Sequence, residues 1–126
     1  MGGEPRFGLP RAARMRRRRD FARTIREGRA AAREAFVLHC LAVPGEGRLV
    51  GVVCGRRVGK AVVRNRAKRR LREIFRTHPE YFRDGLWFVA VAKPAITARD
   101  FRTLEREVCA ALAELTAAEP PRKSAT

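Results

Sequence analysis

Residues 58–76 read VGKAVVRNRAKRRLREIFR, and this stretch combines an apolar stripe with a dense set of cations. In a helix of about 3.6 residues per turn, the apolar side chains fall on one side. They are Val63, Ala67, Leu71, Ile74 and Phe75. The sequence therefore predicts a helix from Ala61 to Arg76 that buries this side against a sheet. Most of its Arg and Lys side chains then form a band on the remaining surface.

The excess of positive over negative charge is confined to two segments of the chain. The 126 residues include 29 Lys and Arg against 13 Asp and Glu, a formal net charge of +16. From Arg11 to Arg33 ten Arg accompany two acidic residues, and from Arg56 to Arg76 ten Arg and Lys accompany one. Together the two segments hold all of the excess charge. This localisation indicates a polyanionic partner, with nucleic acid the leading class. The alternative is two solvated surfaces with no binding role.

Length and composition predict one soluble domain. Hydrophobic residues make up 45% of the chain, which is enough for a modest core. We expect a flexible lead at 1–14, a domain at 15–117 and a disordered tail at 118–126. No apolar run approaches the roughly 20 residues of a membrane span, and nothing resembles a signal peptide. The expectation is a cytoplasmic protein with no membrane partner.

Cysteine and histidine patterns predict neither a metal site nor catalytic machinery. The three cysteines are far apart, and neither histidine has a ligand partner at metal-binding spacing. We expect reduced thiols, no metal or cofactor held by the protein, and no catalytic residue. No nucleophile set, P-loop or dinucleotide-binding turn is present in the sequence.

The other segments predict helices and strands around the basic helix. A short helix from Phe21 to Glu27 is capped by Asp20, and strands from Phe36 to Val43 and from Leu49 to Cys54 are expected to pair as an antiparallel hairpin. The run from Leu86 to Ala92 predicts a strand buried on both faces. A last helix follows a capping box at Thr97 and Asp100. Together these elements predict an α+β sandwich, in which helices cover at least one face of a small sheet.

Residues 58–69, VGKAVVRNRAKR, resemble the RNR signature of the bacterial ribonuclease P protein family. The resemblance extends roughly from Arg16 to Leu115 and includes the FVLHCL strand and the AKPA segment that follows the last strand. It implies the order αβββαβα in a ribosomal-protein-S5-domain-2-like fold, with a left-handed crossover between parallel strands. It also implies a subunit that binds a catalytic RNA and precursor tRNA and needs no protein partner. Mg²⁺ would belong to the active site of the RNA.

The resemblance assigns roles to residues of this chain. The basic residues of the RNR helix and of the segment before it would contact the catalytic RNA: Arg56, Arg57, Lys60, Arg64, Asn65, Arg66, Lys68, Arg69 and Arg70. A cleft between the first helix and the sheet would hold the 5′ leader of the substrate, lined by Phe21, Ile25, Phe36, Leu38 and His39. An additional basic patch comprises Arg16, Arg17, Arg18 and Arg19.

Strand geometry conflicts with part of the cleft assignment. In a regular strand Phe36 and Leu38 share one face and His39 points to the other, so the three cannot all line one cleft. Ile25 stands where the family often has Phe, and His39 where it often has Tyr. Both exchanges weaken stacking on an unpaired base.

Simpler roles compete with these assignments. Phe21, Ile25, Phe36 and Trp87 can each be core residues, and His39 can be a hydrogen-bonded histidine within the sheet. A ribosomal or general structural RNA-binding protein would also account for the charge and the fold. A metal-dependent protein nuclease is a third class, which would cleave RNA without an RNA subunit.

Overall fold

The strands form a single mixed sheet in the computed structural model, which describes residues 13–118. The helices are α1 (Arg18–Glu27), α2 (Ala61–Thr77) and α3 (Phe101–Ala118). The strands are β1 (Arg29–Ala32), β2 (Phe36–Ala42), β3 (Leu49–Cys54) and β4 (Leu86–Ala92). The chain order αβββαβα is the expected one.

The sheet has the spatial order β1-β2-β4-β3. β2 is antiparallel to both β1 and β4, and β3 is parallel to β4. The predicted β2–β3 hairpin is therefore wrong, because β4 lies between these two strands. The side chains of β4 are apolar on both faces of the sheet. A central position buries both sets of side chains and gives each edge of β4 a hydrogen-bonded neighbour. α2 is the crossover that connects the parallel neighbours β3 and β4.

The segment between β2 and β3 contains a turn, in which the N–H of Glu46 donates to the carbonyl of Val43 at 3.2 Å, and it packs on the beginning of β4. The backbone N–H of Val43 donates to the carbonyl of Gly85 at 2.8 Å, and the N–H of Gly85 donates to the carbonyl of Glu46 at 2.8 Å. These bonds hold the loop beside the first residues of β4.

One face of the sheet is covered by α2 and α3. Phe36, Leu38 and Phe88 project from this face and are fully buried. α2 contributes Leu71, Ile74 and Phe75, and α3 contributes Leu104, Val108 and Leu112. The ring of Phe82 makes edge-to-face contacts with Phe75 and Phe88, with centroids 5.4 and 5.1 Å apart. This is the main core of the domain.

α1 covers only part of the opposite face. Met15, Trp87 and Val89 are buried there, and Val53 and Val91 are half-buried beyond the helix. Glycines allow α1 to approach the strands closely. A Cβ at Gly28 would lie 2.6 Å from the carbonyl oxygen of Thr24 and 2.7 Å from that of Cys40.

The helix caps differ from the prediction. α1 begins at Arg18, with Arg17 at the N-cap position and no side-chain cap, so Asp20 lies inside the helix. α3 is capped by Asp100, whose carboxylate accepts from the N–H of Thr103 at 2.8 Å. Thr97 lies in the preceding 3₁₀ turn and donates to the carbonyl of Pro94, so it does not form the predicted capping box.

Most of the predicted lead and tail lies outside the described residues. Ala13 is buried and Arg14 bridges to Val50, so the described fold includes both. Cys40 is buried, and Cys54 and Cys109 are half-buried. Within residues 13–118, no helix has the combination of length and apolarity that crossing a bilayer requires.

Candidate nucleic-acid interface

The solvent-facing side of α2 is strongly cationic. Asn65, Arg66, Arg69 and Arg72 are exposed, and we call these four residues the basic face. Arg64, Lys68 and Arg70 are half-buried at its margins. The burial of Leu71, Ile74 and Phe75 on the other side holds the helix in this orientation. The sequence predicted this division from the apolar spacing alone.

The entrance to α2 is shaped by Gly59 and Arg64. Gly59 has φ 154°, and a Cβ there would lie 2.9 Å from Cγ1 of Val63. The Arg64 guanidinium donates to the carbonyl of Gly59 at 2.9 Å and so braces the turn. Lys60 at the N-cap makes no side-chain cap, and the first turn has no acidic residue. The positive end of the helix dipole therefore has no carboxylate in its first turn, and the exposed Arg56 and Arg57 lie in the preceding turn.

Arg70 is placed differently from the other predicted RNA contacts. Its guanidinium donates to the backbone carbonyl of Arg99 at 2.5 Å and is half-buried. Burial, reinforced by the nearby charge of Arg66, lowers the pKa of Arg70. Arg70 thus ties α2 to the segment before α3 as well as bordering the basic face.

Carboxylates pair with arginines outside the basic face, both on α2 itself and on other elements. The ion pairs are Arg23–Glu27, Arg26–Glu27, Arg33–Glu114, Arg76–Glu73, Arg99–Glu34 and Arg99–Glu107. Within residues 13–118, none of these pairs involves a residue that was predicted to contact RNA. Glu73 lies on α2 as well but pairs with Arg76, so Arg66, Arg69 and Arg72 have no ion-pair partner among the described residues and are available to phosphates.

The basic face opens into a groove that also contains Phe21. This groove, which we call the α2 groove, has a volume of about 530 Å³ and runs past the edge of β3. Its lining includes Phe21 and Gly51 on one side and Asn65, Arg69 and Arg72 on the other. A Cβ at Gly51 would collide with the ring of Phe21, so this glycine lets the ring lie directly on β3. Two sites predicted separately from sequence are thus contiguous.

Two of the predicted cleft residues point away from α1. Phe36 and Leu38 are fully buried in the main core against α2 and α3. Strand alternation is the reason, because it sends Val37 and His39 to the α1 side and their neighbours to the core. The assignment of Phe36 and Leu38 to the cleft is corrected accordingly. Val37, Val53 and Val91 also lie on the α1 side of the sheet, and the sequence analysis did not name them. Strand alternation identifies Val37, because it shares a face with His39.

Phe21, Ile25 and His39 remain on the α1 side. Phe21 is half-buried and Ile25 is 39% exposed. The Nδ1 atom of His39 is buried and has no hydrogen-bond partner. Burial lowers the pKa of His39, so the imidazole is neutral at neutral pH.

The arginine patch from Arg16 to Arg19 lies at the beginning of α1. All four side chains are exposed. Arg16, Arg17 and Arg19 line a second depression, which shares Arg14 with the α2 groove, whereas Arg18 does not line it. Trp87 forms part of its lining, a position that the sequence did not predict.

The fold and the site define a small α+β domain with one cationic helix available to a polyanion. Residues 9–116 match the family model described as Ribonuclease P. A ribonuclease P protein component of Dictyoglomus thermophilum is 36% identical over 95 residues, covering 75% of this chain and 78% of that protein. One of Symbiobacterium thermophilum is 40% identical over 101 residues, covering 79% and 88%.

Solved structures agree with this assignment. The ribonuclease P protein of Thermotoga maritima superposes with a TM-score of 0.70 at 31% identity, covering 84% of this chain and 97% of that one. The chain belongs to the ribonuclease P protein family. It is thereby a protein of tRNA processing, with a role in an endoribonuclease complex.

Proposed function

We propose that this protein is the non-catalytic subunit of a bacterial ribonuclease P. It binds the catalytic RNA and the 5′ leader of precursor tRNA, and it assists removal of the leader to give the mature 5′ end. Mg²⁺ in the active site of the RNA supplies the bond-breaking chemistry. The proposal places the protein in the cytoplasm, where precursor tRNA is made. The observation that supports it most is the uncompensated basic face and its continuity with Phe21.

The basic face of α2 binds the phosphates of the catalytic RNA. The forked guanidinium groups of Arg66 and Arg69 engage phosphate oxygens in pairs, and each neutralised phosphate releases counterions. The amide of Asn65 donates to a phosphate or to a ribose 2′-hydroxyl. A backbone-reading surface of this kind recognises the shape of the RNA and not its base sequence.

The α1 side of the sheet holds the single-stranded leader. Phe21 offers a half-buried aromatic ring and Ile25 an exposed aliphatic surface to unpaired bases. Because Ile25 and His39 replace larger aromatic residues, we expect lower affinity per leader nucleotide than in relatives that carry Phe and Tyr there. Holding the leader positions the scissile bond, which lowers the entropic cost of reaching the transition state.

Reconstitution tests the proposal. Adding the protein to purified ribonuclease P RNA at low Mg²⁺ is expected to restore 5′ cleavage of precursor tRNA. The variant Arg66→Ala with Arg69→Ala is expected to restore it only at higher protein concentration. A protein that binds RNA generally but leaves cleavage unrestored would support the ribosomal-type alternative instead. Cleavage by the protein without the RNA would indicate a protein nuclease.

Phe21→Ala separates leader binding from RNA docking. We expect a loss of about tenfold in the preference for precursor over mature tRNA, since stacking of one base on an aromatic ring contributes about 1–3 kcal/mol. Affinity for the catalytic RNA alone should change little. The measurement is competitive binding of the two tRNA forms to the holoenzyme. An equal loss for both forms would show that the substitution damages the fold and not the leader site.

A further inference from the structure

An arginine-lined depression lies on the side of α1 away from Phe21 and Ile25. It has a volume of about 720 Å³, and we call it the Trp87 hollow. Its wall contains six arginines: Arg14, Arg16, Arg17, Arg19, Arg23 and Arg26. Its apolar part comprises Val43, Leu49 and Trp87. Arg14 also lines the α2 groove, so the two depressions meet at this residue.

Trp87 is fixed in the hollow by contacts on its edge and its face. The indole Nε1 donates to the carbonyl of Gly47 at 3.1 Å, in the loop between β2 and β3. The Arg23 guanidinium lies 5.6 Å from the ring centroid. The side chain is only 6% exposed, so Arg23 and the loop cover it. A displacement of Arg23 would change the surroundings of the indole directly.

The charges of the hollow are only partly balanced. Glu27 pairs with Arg23 at 3.2 Å and with Arg26 at 3.0 Å. Within residues 13–118, no carboxylate lies within ion-pair distance of Arg14, Arg17 or Arg19. The acidic residues in the lining are Asp20 and Glu46. Like charges on a concave surface repel one another unless an anion lies among them, so the hollow has the electrostatics of a polyphosphate site.

We propose that the Trp87 hollow is a second RNA-backbone site, which binds consecutive phosphates of the catalytic RNA. Arg17 and Arg19 supply the contacts at the beginning of α1, beside the positive end of its dipole. In the proposed function the leader of precursor tRNA occupies the opposite side of α1. An RNA segment bound in the hollow therefore belongs to the catalytic RNA. The inference rests on the proposed function for the identity of that RNA. α1 would then be held between the substrate and the ribozyme.

Trp87 provides a direct probe, because it is the only tryptophan in the chain. Catalytic RNA without substrate is titrated into the protein, and tryptophan fluorescence is followed with correction for absorption by the RNA. We expect a saturable change as phosphates draw the arginines of the hollow, Arg23 included, away from the indole. No change at saturation would overturn the proposal.

Matched charge variants complete the test. Arg17→Ala with Arg19→Ala removes two exposed cations of the hollow, and Arg102→Ala with Arg106→Ala removes two exposed cations from α3. The slope of log affinity against log salt should become shallower by about 2 for the first variant and stay near wild type for the second. At 150 mM salt the first variant should bind about tenfold or more weakly. Equal behaviour of the two variants would show that only net charge matters and would overturn the site.

Two controls separate this inference from the proposed function. Unchanged tryptophan fluorescence of the free variants shows that the fold around the hollow is kept. If the wild type fails to restore cleavage, the proposed function fails. If the wild type restores cleavage while the hollow variant binds catalytic RNA normally but loses preference for precursor tRNA, the hollow binds substrate and the inference is wrong.

Discussion

His39 places a titratable ring on the half-covered face of the sheet. Its Nδ1 is buried without a hydrogen-bond partner, and burial lowers its pKa below the ordinary value of 6.5. The neutral form suits an apolar setting, because a charged imidazole would be desolvated there without a carboxylate to compensate it. His39 therefore gives this face of the sheet a ring that is neutral at neutral pH and whose charge depends on pH.

This placement predicts a pH dependence of stability. Because the folded pKa lies below the unfolded one, the unfolded state binds more protons between them, and stability falls as pH drops below about 6.5. His39→Phe removes this dependence. The measurement is the free energy of unfolding by urea at pH 7.5 and pH 5. Parallel pH profiles for wild type and variant would contradict a buried neutral His39.

The position of α1 on the sheet depends on the close backbone approach at its end. Gly28 is flanked by carbonyl oxygens of Thr24 and Cys40 at distances that leave no room for a Cβ. The same helix presents Phe21 to the α2 groove and Arg23 to the Trp87 hollow. Any shift of α1 therefore alters both sites together.

Gly28→Ala is expected to destabilise the domain by about 1–3 kcal/mol, since backbone atoms must move to relieve the overlap. Gly55→Ala is the matched control, because a Cβ at Gly55 meets nothing within 4 Å. The midpoint of thermal unfolding should be lower in the first variant and near wild type in the second. Discrimination between precursor and mature tRNA should likewise be reduced in the first variant only. Equal stability of the two variants would mean that α1 is not seated as described.

Charge is segregated across the molecule. Acidic residues of α3 pair with basic partners from other elements: Glu107 with Arg99, Glu114 with Arg33, and Glu105 with His78. The basic face of α2 has no such partner among the described residues. The acidic residues of α3 are thus engaged by basic partners, whereas the arginines of the basic face have no ion-pair partner in the described part of the chain, and such a difference would orient the domain on a polyanion.

Strong salt dependence follows from this asymmetry. If about six to ten phosphates are contacted, affinity for the catalytic RNA should fall by about 10³- to 10⁵-fold between 50 and 200 mM salt. Arg66→Ala should make the salt slope shallower by about 1, and Arg106→Ala on α3 should leave it unchanged. Filter binding over a salt series measures both slopes. A flat dependence for the wild type would exclude phosphate contacts as the main source of affinity.

Local pattern by itself determined much of this protein. The apolar spacing that predicted a helix from Ala61 to Arg76 identified an element observed at Ala61–Thr77, and with it the side that carries the cations. Periodicity and charge are properties of a local segment, so they can be read from the sequence without knowledge of distant contacts. β1 was not identified from its residues, because the short run RAAA lacks β-branched side chains and forms a strand only beside β2.

Only the tertiary structure decided which segments meet. The insertion of β4 between β2 and β3 depends on pairing between residues far apart in sequence, which no local pattern records. The burial of Phe36 and Leu38 against α2 and α3 follows from which face those helices cover. The enclosure of Trp87 by arginines of α1 likewise exists only after the chain has folded. Contacts of this kind are set by the joint packing of the whole core, and that is why the sequence indicated the chemistry of the sites but not their arrangement.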